Sequence, residues 1–430
     1  MTKGPGIDKL VAEEVRAEQL RNGRVNPTTA AEFKVLDDDR YLFSLPAIGT
    51  IFEIDRLRRD HNELIGELAV RCELPGNRGF AGSLSIADFN LSSARARSDR
   101  AKLLAGRANT RDVDWTALVE EFCQRVLQAD RSGAPAVDLR TLPPPAAEDS
   151  LQVEGLRLLR RHPTILFGDG GAAKSYLSLY LAGRLAEREM RVALFDWELA
   201  GEDHRERLER LFSDGMPQIF YVRCERPLVY EIDRLRRIVR ENGIEFSIFD
   251  SVAFACDGPP ESAEVAGRYF RGVRQIGGGS LHIAHVSKGE NADQKPFGSA
   301  FWHNGARSTW FAQLVGGGGD SNSETLSLGL FNRKANLGRL QPPIGFTVSF
   351  AEERTTFRRT DVADNPDLAS KLSVRQRMAA LLRKGAMAPE EIAAQIEADV
   401  ETVKRTARRY KEMFVVIPGG RFGLLERSAS

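Results

Sequence analysis

Between residues 163 and 288, short unbroken apolar runs alternate with longer stretches in which apolar side chains recur at helical spacing. The runs HPTILFGD, RVALFDWE, IFYVR, FSIFDS and LHIAHVSK predict buried strands. Stretches beginning at Lys174 and near Glu202, then IDRLRRIVREN and AGRYFRGVRQI, predict the helices between them. Strands with no polar face, alternating with helices, are the pattern of a parallel sheet covered on both sides, so the predicted fold class is α/β.

Two breaks frame this region. Residues 132–150, SGAPAVDLRTLPPPAAEDS, carry three consecutive prolines, suit neither a helix nor a central strand, and read as a linker. Residues 358–372, largely polar, form a second one. The predicted organisation is an N-terminal accessory domain of mixed α/β type over 1–131, the α/β domain over 151–357, and a C-terminal module over 373–430. In the first of these, YLFSLPAIGTIFEIDRL and LIGELAVRCELP read as strands, and Leu118, Phe122, Val126 and Leu127 fall at helical spacing. No chemistry is legible in it, and no internal repeat is apparent in the chain.

Composition narrows the class. Hydrophobic residues at 42% and charged residues at 28% are ordinary for a soluble globular chain, and no stretch approaches the ~20 apolar residues that span a bilayer. Neither a signal peptide nor a membrane partner is expected. Cys72, Cys123, Cys224 and Cys256 are far apart and form no CxxC pair, which fits a reducing cytoplasm. With 61 basic and 60 acidic residues, net charge announces no nucleic-acid partner, so any such contact must come from local clusters. ARARSDRAK (94–102), RLLRR (157–161) and VKRTARRYK (403–411) are those clusters, each of which can equally be a solvated face.

GDGGAAKS at 168–175 stands directly after the strand TILF and directly before a helix. That placement lets backbone N–H groups and a helix N-terminus converge on phosphates. In this loop Gly168, Gly170 and Gly171 let the backbone curl, Lys174 reaches the β- and γ-phosphates of ATP, and Ser175 can sit on Mg²⁺. Asp169, Ala172, Ala173 and Tyr176 complete the expected nucleotide contacts. The usual pattern has Gly at position 173, so an altered loop is expected there. Asp250 ends a second strand, where a strand neighbouring the phosphate loop carries the acid that helps hold Mg²⁺. FDWE ends a third, making Glu198 the base that polarises water, with Asp196 as its rival. Structural capping by these acids is the alternative.

The order of Walker A loop, strand-end Glu, strand-end Asp, then HVSKG and FGSAFWHNGARSTWF resembles the RecA/DnaB superfamily, closest to its RepA-like hexameric helicase branch. The resemblance covers about 151–350. It implies a RecA-like core, catalysis by Lys174, Glu198 and Asp250, and a γ-phosphate sensor at His285, which can also be a structural histidine. It implies a DNA-facing loop at 289–300 with Lys288 and Lys295 as phosphate contacts, an ordinary surface loop being the alternative. It also implies that Arg333 and Lys334, taken jointly, reach a neighbouring subunit's nucleotide in a homo-oligomer, expected to be a hexamer.

Residues 373–425 read as a winged helix-turn-helix: helices over RQRMAALLRKG, APEEIAAQIEA and DVETVKRTARRYKE, then a hairpin at Gly419 and Gly420. Ile392, Ala393, Ile396, Ala398 and Val403 are expected inside, with Asp399 capping the third helix. That helix would lie exposed and offer Thr402, Lys404, Arg405, Arg408 and Arg409 to a duplex major groove, with Arg421 near phosphate, a protein-interaction module being the alternative. The expected function is an ATP-hydrolysing, DNA-acting motor, helicase-like or replicative, of a phage, plasmid or other mobile element. Single-stranded DNA would pass through the core. Two rivals are a RecA-like ATPase that loads or remodels recombination or replication proteins, and an ATP-gated DNA-binding regulator with slow hydrolysis.

Overall fold

The computed structural model describes residues 31–37, 39–73, 77–109, 113–133, 136–144, 150–286, 295–316 and 325–425. The chain divides into two compact units, Met1–Pro144 and Pro145–Ser430.

The first unit is an antiparallel sheet of five strands in sequential order, β1 (Glu32–Asp37), β2 (Arg40–Leu45), β3 (Thr50–Asp60), β4 (Glu63–Cys72) and β5 (Ser83–Asn90). Alternation along β2 and β4 puts Phe43, Leu68 and Val70 into a core and leaves the intervening residues on a more exposed face. Two helices, α1 (Ala94–Ala108) and α2 (Trp115–Ser132), contribute to that core, with Leu118, Phe122 and Val126 fully buried and Leu127 partly so. Asp114 caps α2 by accepting from the Thr116 and Ala117 N–H groups. The basic cluster 94–102 is the start of α1, and its arginines are engaged inside the unit. Arg97 pairs with Glu120 at 2.8 Å, and Arg100 donates to Ser85 and the Asp88 carbonyl.

The second unit opens with a hairpin, β6 (Ser150–Val153) and β7 (Leu156–Leu159). It then builds strands β8 (Pro163–Gly168), β9 (Val192–Asp196), β10 (Ile219–Arg223), β11 (Phe246–Asp250), β12 (Gly279–His285), β13 (Ser308–Val315), β14 (Thr325–Ala335), β15 (Ile344–Phe350) and β16 (Thr355–Thr360). They form one sheet in the order β10-β9-β11-β12-β8-β13-β14-β15-β16. The six strands from β10 to β13 are parallel, and the last three run antiparallel. The sheet is therefore mixed rather than purely parallel.

Helices α3 (Lys174–Ala186), α4 (Gly201–Leu211), α5 (Leu228–Asn242), α6 (Val252–Ala255), α7 (Ala263–Ile276) and α8 (Ala300–Gly305) connect these strands. Strands β8, β9 and β11 are buried at every position because both faces are covered. Leu177, Leu181 and Leu185 of α3 belong to one apolar layer, and Leu235, Tyr269 and Phe270 to another. Position Gly168 must be glycine for packing: a Cβ there would lie 2.4 Å from the Ala312 carbonyl of the adjoining strand.

The sequence pattern puts the strand of Asp250 beside the phosphate-loop strand, but β12 lies between them. Strand order is a tertiary property that local patterning does not encode. The stretch 358–372, expected to be a linker, completes β16 and then sends Val362, Leu368 and Leu372, the last two around α9 (Pro366–Ala369), into the core.

The C-terminal residues form α10 (Val374–Leu382), α11 (Pro389–Gln395) and α12 (Val400–Arg409), then a hairpin of β17 (Phe414–Ile417) and β18 (Arg421–Leu424). Ser373 and Gln376 cap α10 reciprocally through side chain and backbone. Ile392, Ala393, Ile396 and Val403 are buried as expected, while Ala398 is half-buried. Asp399 occupies the N-cap of α12 but its side chain accepts no capping hydrogen bond, so that expectation is corrected.

Candidate nucleotide site

The loop after β8 is shaped by two left-handed residues. Gly171 has φ +77°, and Ala173, the N-cap of α3, has φ +53° and ψ +21°. A Cβ at Gly170 or Gly171 would meet nothing within 4 Å, so the loop lies open to a ligand on that side. At position 173 the left-handed conformation explains the usual glycine, since an L-residue there costs about 1–2 kcal/mol. By spacing alone Gly168, Gly170 and Gly171 share one role, but only Gly171 is left-handed, and Gly168 answers to its neighbour strand.

Lys174 is 5% exposed, and its Nζ donates to the carbonyls of Gly168 at 3.0 Å and Asp169 at 2.6 Å. Burial lowers its pKa, against which the nearby carboxylates of Asp250, Asp169 and Glu198 hold the charged form. The Ser175 side chain lies near enough to Asp250 to favour its ionised form. Asp250 is 3% exposed, and its pKa is raised to about 6 by burial, countered by the nearby Ser175 side chain and reinforced by the neighbouring carboxylates Glu198 and Asp196. Asp169 is exposed, Ala172 buried and Tyr176 half-buried, its ring 5.3 Å from that of Phe350.

The two acids at the end of β9 separate cleanly. Asp196 is fully buried and accepts from the N–H groups of Glu198 at 3.3 Å and Leu199 at 2.8 Å, with His204 Nε2 3.4 Å away and Arg223 at 3.5 Å. It shapes the turn. Glu198 is exposed, and Ser251, the residue after Asp250, donates its hydroxyl to Glu198 Oε1. Ser251 was missed in the sequence, although its place directly behind the strand-end acid in FSIFDS was the available signal. His285 pairs in register with Gly168, and its pKa is lowered by burial and by the Lys174 charge. Three residues earlier, His282 is buried between Tyr269 and Ser280, each 2.8 Å from a ring nitrogen.

The site therefore brings a buried ammonium, a hydroxyl and two carboxylates to the carboxyl ends of β8, β9 and β11. Mg²⁺ typically uses one or two carboxylates with water and phosphate oxygens. Among the described residues no group of three or more His, Cys, Asp or Glu could hold a metal alone. The pair Ser175 and Asp250 fits Mg²⁺ only in the company of a phosphate ligand.

Arg333 and Lys334 stand elsewhere. Lys334 pairs with Thr309, which pairs with Ile165, so it sits level with a point three residues, roughly 10 Å, before Gly168 on β8. They cannot serve their own chain's phosphate loop from there. Lys334 Nζ donates to the carbonyls of His303 at 2.7 Å, Asn304 at 3.1 Å and Ala306 at 2.9 Å, closing the end of α8. The Arg333 guanidinium lies over the rings of Phe311 and Phe331. Lys288 lies outside the described residues, and Lys295 is exposed.

On the helix expected to read a duplex, Arg405, Arg408 and Arg409 are exposed, while Thr402 and Lys404 are half-buried. Thr402, Arg405 and Arg409 line a cleft against the core, Lys404 pairs with Glu390 at 3.4 Å, and Arg408 is exposed outside the cleft. Arg421 donates to the Ala386 carbonyl.

Residues 128–291 match the family model described as an AAA domain. No curated protein matches the chain. Among solved structures, one described as an ATPase domain is similar at 12% identity and a TM-score of 0.38, over 47% of this chain and 85% of that one. The family match, the phosphate loop and the parallel-dominated sheet support a RecA-like P-loop core and point to an ATPase. Among the described residues, no helix is long and apolar enough to cross a membrane.

Proposed function

We propose that this protein is an ATP-hydrolysing motor acting on DNA, helicase-like or replicative, of the kind carried by phages, plasmids or other mobile elements. One observation carries the ATPase reading: Lys174 is held at the loop by two carbonyls, with the Asp250 carboxylate near it and Ser251 hydrogen-bonded to Glu198. In this reading Lys174 neutralises the β- and γ-phosphates, Glu198 takes the proton of the attacking water, and Asp196 fixes the turn that carries Glu198. His285, in register with Gly168, is read as the sensor of the terminal phosphate. Mg²⁺ at Ser175 and Asp250 would supply charge neutralisation on the transferring phosphoryl group.

Arg333 and Lys334 lie too far from their own loop to act on it, so their catalytic role, if the site is shared, is toward a neighbouring subunit of a homo-oligomer, proposed as a hexamer. The C-terminal three-helix and hairpin module is read as a winged helix. The test is ATP turnover by the full chain with and without single-stranded and duplex DNA, together with the mass of the assembly. DNA-stimulated turnover by an oligomer supports the motor. Slow turnover indifferent to DNA, with nucleotide-dependent oligomer mass, favours the ATP-gated regulator, for which the strained Ala173 is the supporting observation.

A further inference from the structure

We propose that the cleft between the core sheet and the C-terminal module holds single-stranded DNA by its phosphodiester backbone. The cleft measures about 1170 Å³ and lies where β14 and β16 meet α10 and α12. Cations enter it from both sides: Arg333, Arg359 and Lys371 from the core and its last connection, Arg375, Arg405 and Arg409 from the module. Its one acidic lining residue, Asp361, is neutralised by Arg383 at 2.6 Å. Among the described residues, no carboxylate lies within ion-pair distance of Arg375, Arg405 or Arg409. Like charges facing each other across a cleft repel, and a polyanion between them removes that cost.

The walls favour a single strand. Tyr410, half-buried at the cleft, has the Arg375 guanidinium 4.7 Å and the Arg409 guanidinium 5.6 Å from its ring centroid. Aromatic faces and guanidinium planes stack on unpaired bases whatever the sequence, while the charges follow the backbone. A duplex is read by a helix that enters a major groove about 12 Å wide, with both flanks clear. Here Thr402, Arg405 and Arg409 of α12 line the cleft with residues of the core, so this face has a wall opposite it.

This inference deepens the DNA-acting reading but needs neither ATP nor hydrolysis, so each can fail alone. The experiment is titration of the full-length protein, without nucleotide, into a fluorescent oligothymidylate of about 15 nucleotides and into a duplex of equal length. Replacing Arg375, Arg405 and Arg409 together by alanine should weaken oligothymidylate binding at least about tenfold and flatten the salt dependence by about two units, near 0.7 per lost phosphate contact. The corresponding triple lysine variant should keep most of the affinity, and Lys404→Ala with Arg408→Ala should leave it unchanged. Should the triple alanine variant not fold by melting profile, Arg409→Glu alone carries the same expectation. Wild-type oligothymidylate binding by a folded cleft variant overturns the proposal, and so does a loss confined to duplex.

Discussion

The hydroxyl of Ser251 donates to the Oε1 of Glu198, joining the residue behind one strand-end acid to the acid of the neighbouring strand. Asp196, two residues before Glu198, is buried and spends its oxygens on backbone N–H groups. The two carboxylates therefore predict different phenotypes. Glu198→Gln should bind ATP with near wild-type affinity and hydrolyse it about 10²–10⁴-fold more slowly, the range of a lost general base. Asp196→Asn should lower the melting temperature as the turn loses its acceptor. Measuring both quantities for both variants checks the assignment, and a selective loss of turnover in Asp196→Asn reverses it.

Asp250 carries a stability cost that depends on pH. Its folded-state pKa, about 6, lies above the ordinary carboxylate value, so the folded protein holds the proton more tightly than the unfolded chain. The ionised side chain therefore destabilises the nucleotide-free fold fully above pH ~6, and this cost fades as pH falls toward the ordinary range near 4. Asp250→Asn should raise the melting temperature by a few degrees at pH 8 and by less at pH 5, while hydrolysis is lost. Thermal melts at the two pH values check this, and an equal or reversed shift contradicts it.

Ala173 sits in the left-handed region at the start of α3. Ala173→Gly should stabilise the protein by about 1 kcal/mol, because relief of strain exceeds the extra chain entropy of glycine. Chemical denaturation read at the core checks it, and a destabilised variant would show that the loop is not strained as described.

Lys334 is bound by three carbonyls at the end of α8. Lys334→Ala should cost about 1–3 kcal/mol of stability by leaving those acceptors unmatched. Arg333→Ala should cost less in stability and, mixed with wild-type subunits, should depress turnover beyond dilution if the site is shared. Equal melting temperatures for the two variants would contradict the first half.

The central strands were legible because β8, β9 and β11 are buried on both faces, which leaves an unbroken apolar run in the sequence. The three antiparallel strands were mostly not. Strand β16, TTFRRT, buries only alternate residues at its start and carries two arginines, so it reads as polar connection. The phosphate loop and its lysine were legible as local spacing, whereas the place of β12 between β8 and β11 was not. Charge was the poorest guide. The cluster at 94–102 is engaged within its own unit, while the cleft draws its cations from positions between 333 and 409 that no local window gathers.

The most direct test of the ATPase account is steady-state phosphate release from Mg²⁺-ATP by the full chain and by Lys174→Ala, with melting temperatures recorded alongside. Among the described residues, Lys174 is the ammonium held at the loop by the Gly168 and Asp169 carbonyls. The account predicts turnover by the wild type and a fall to background in a variant that remains folded. Undiminished turnover in folded Lys174→Ala would contradict it.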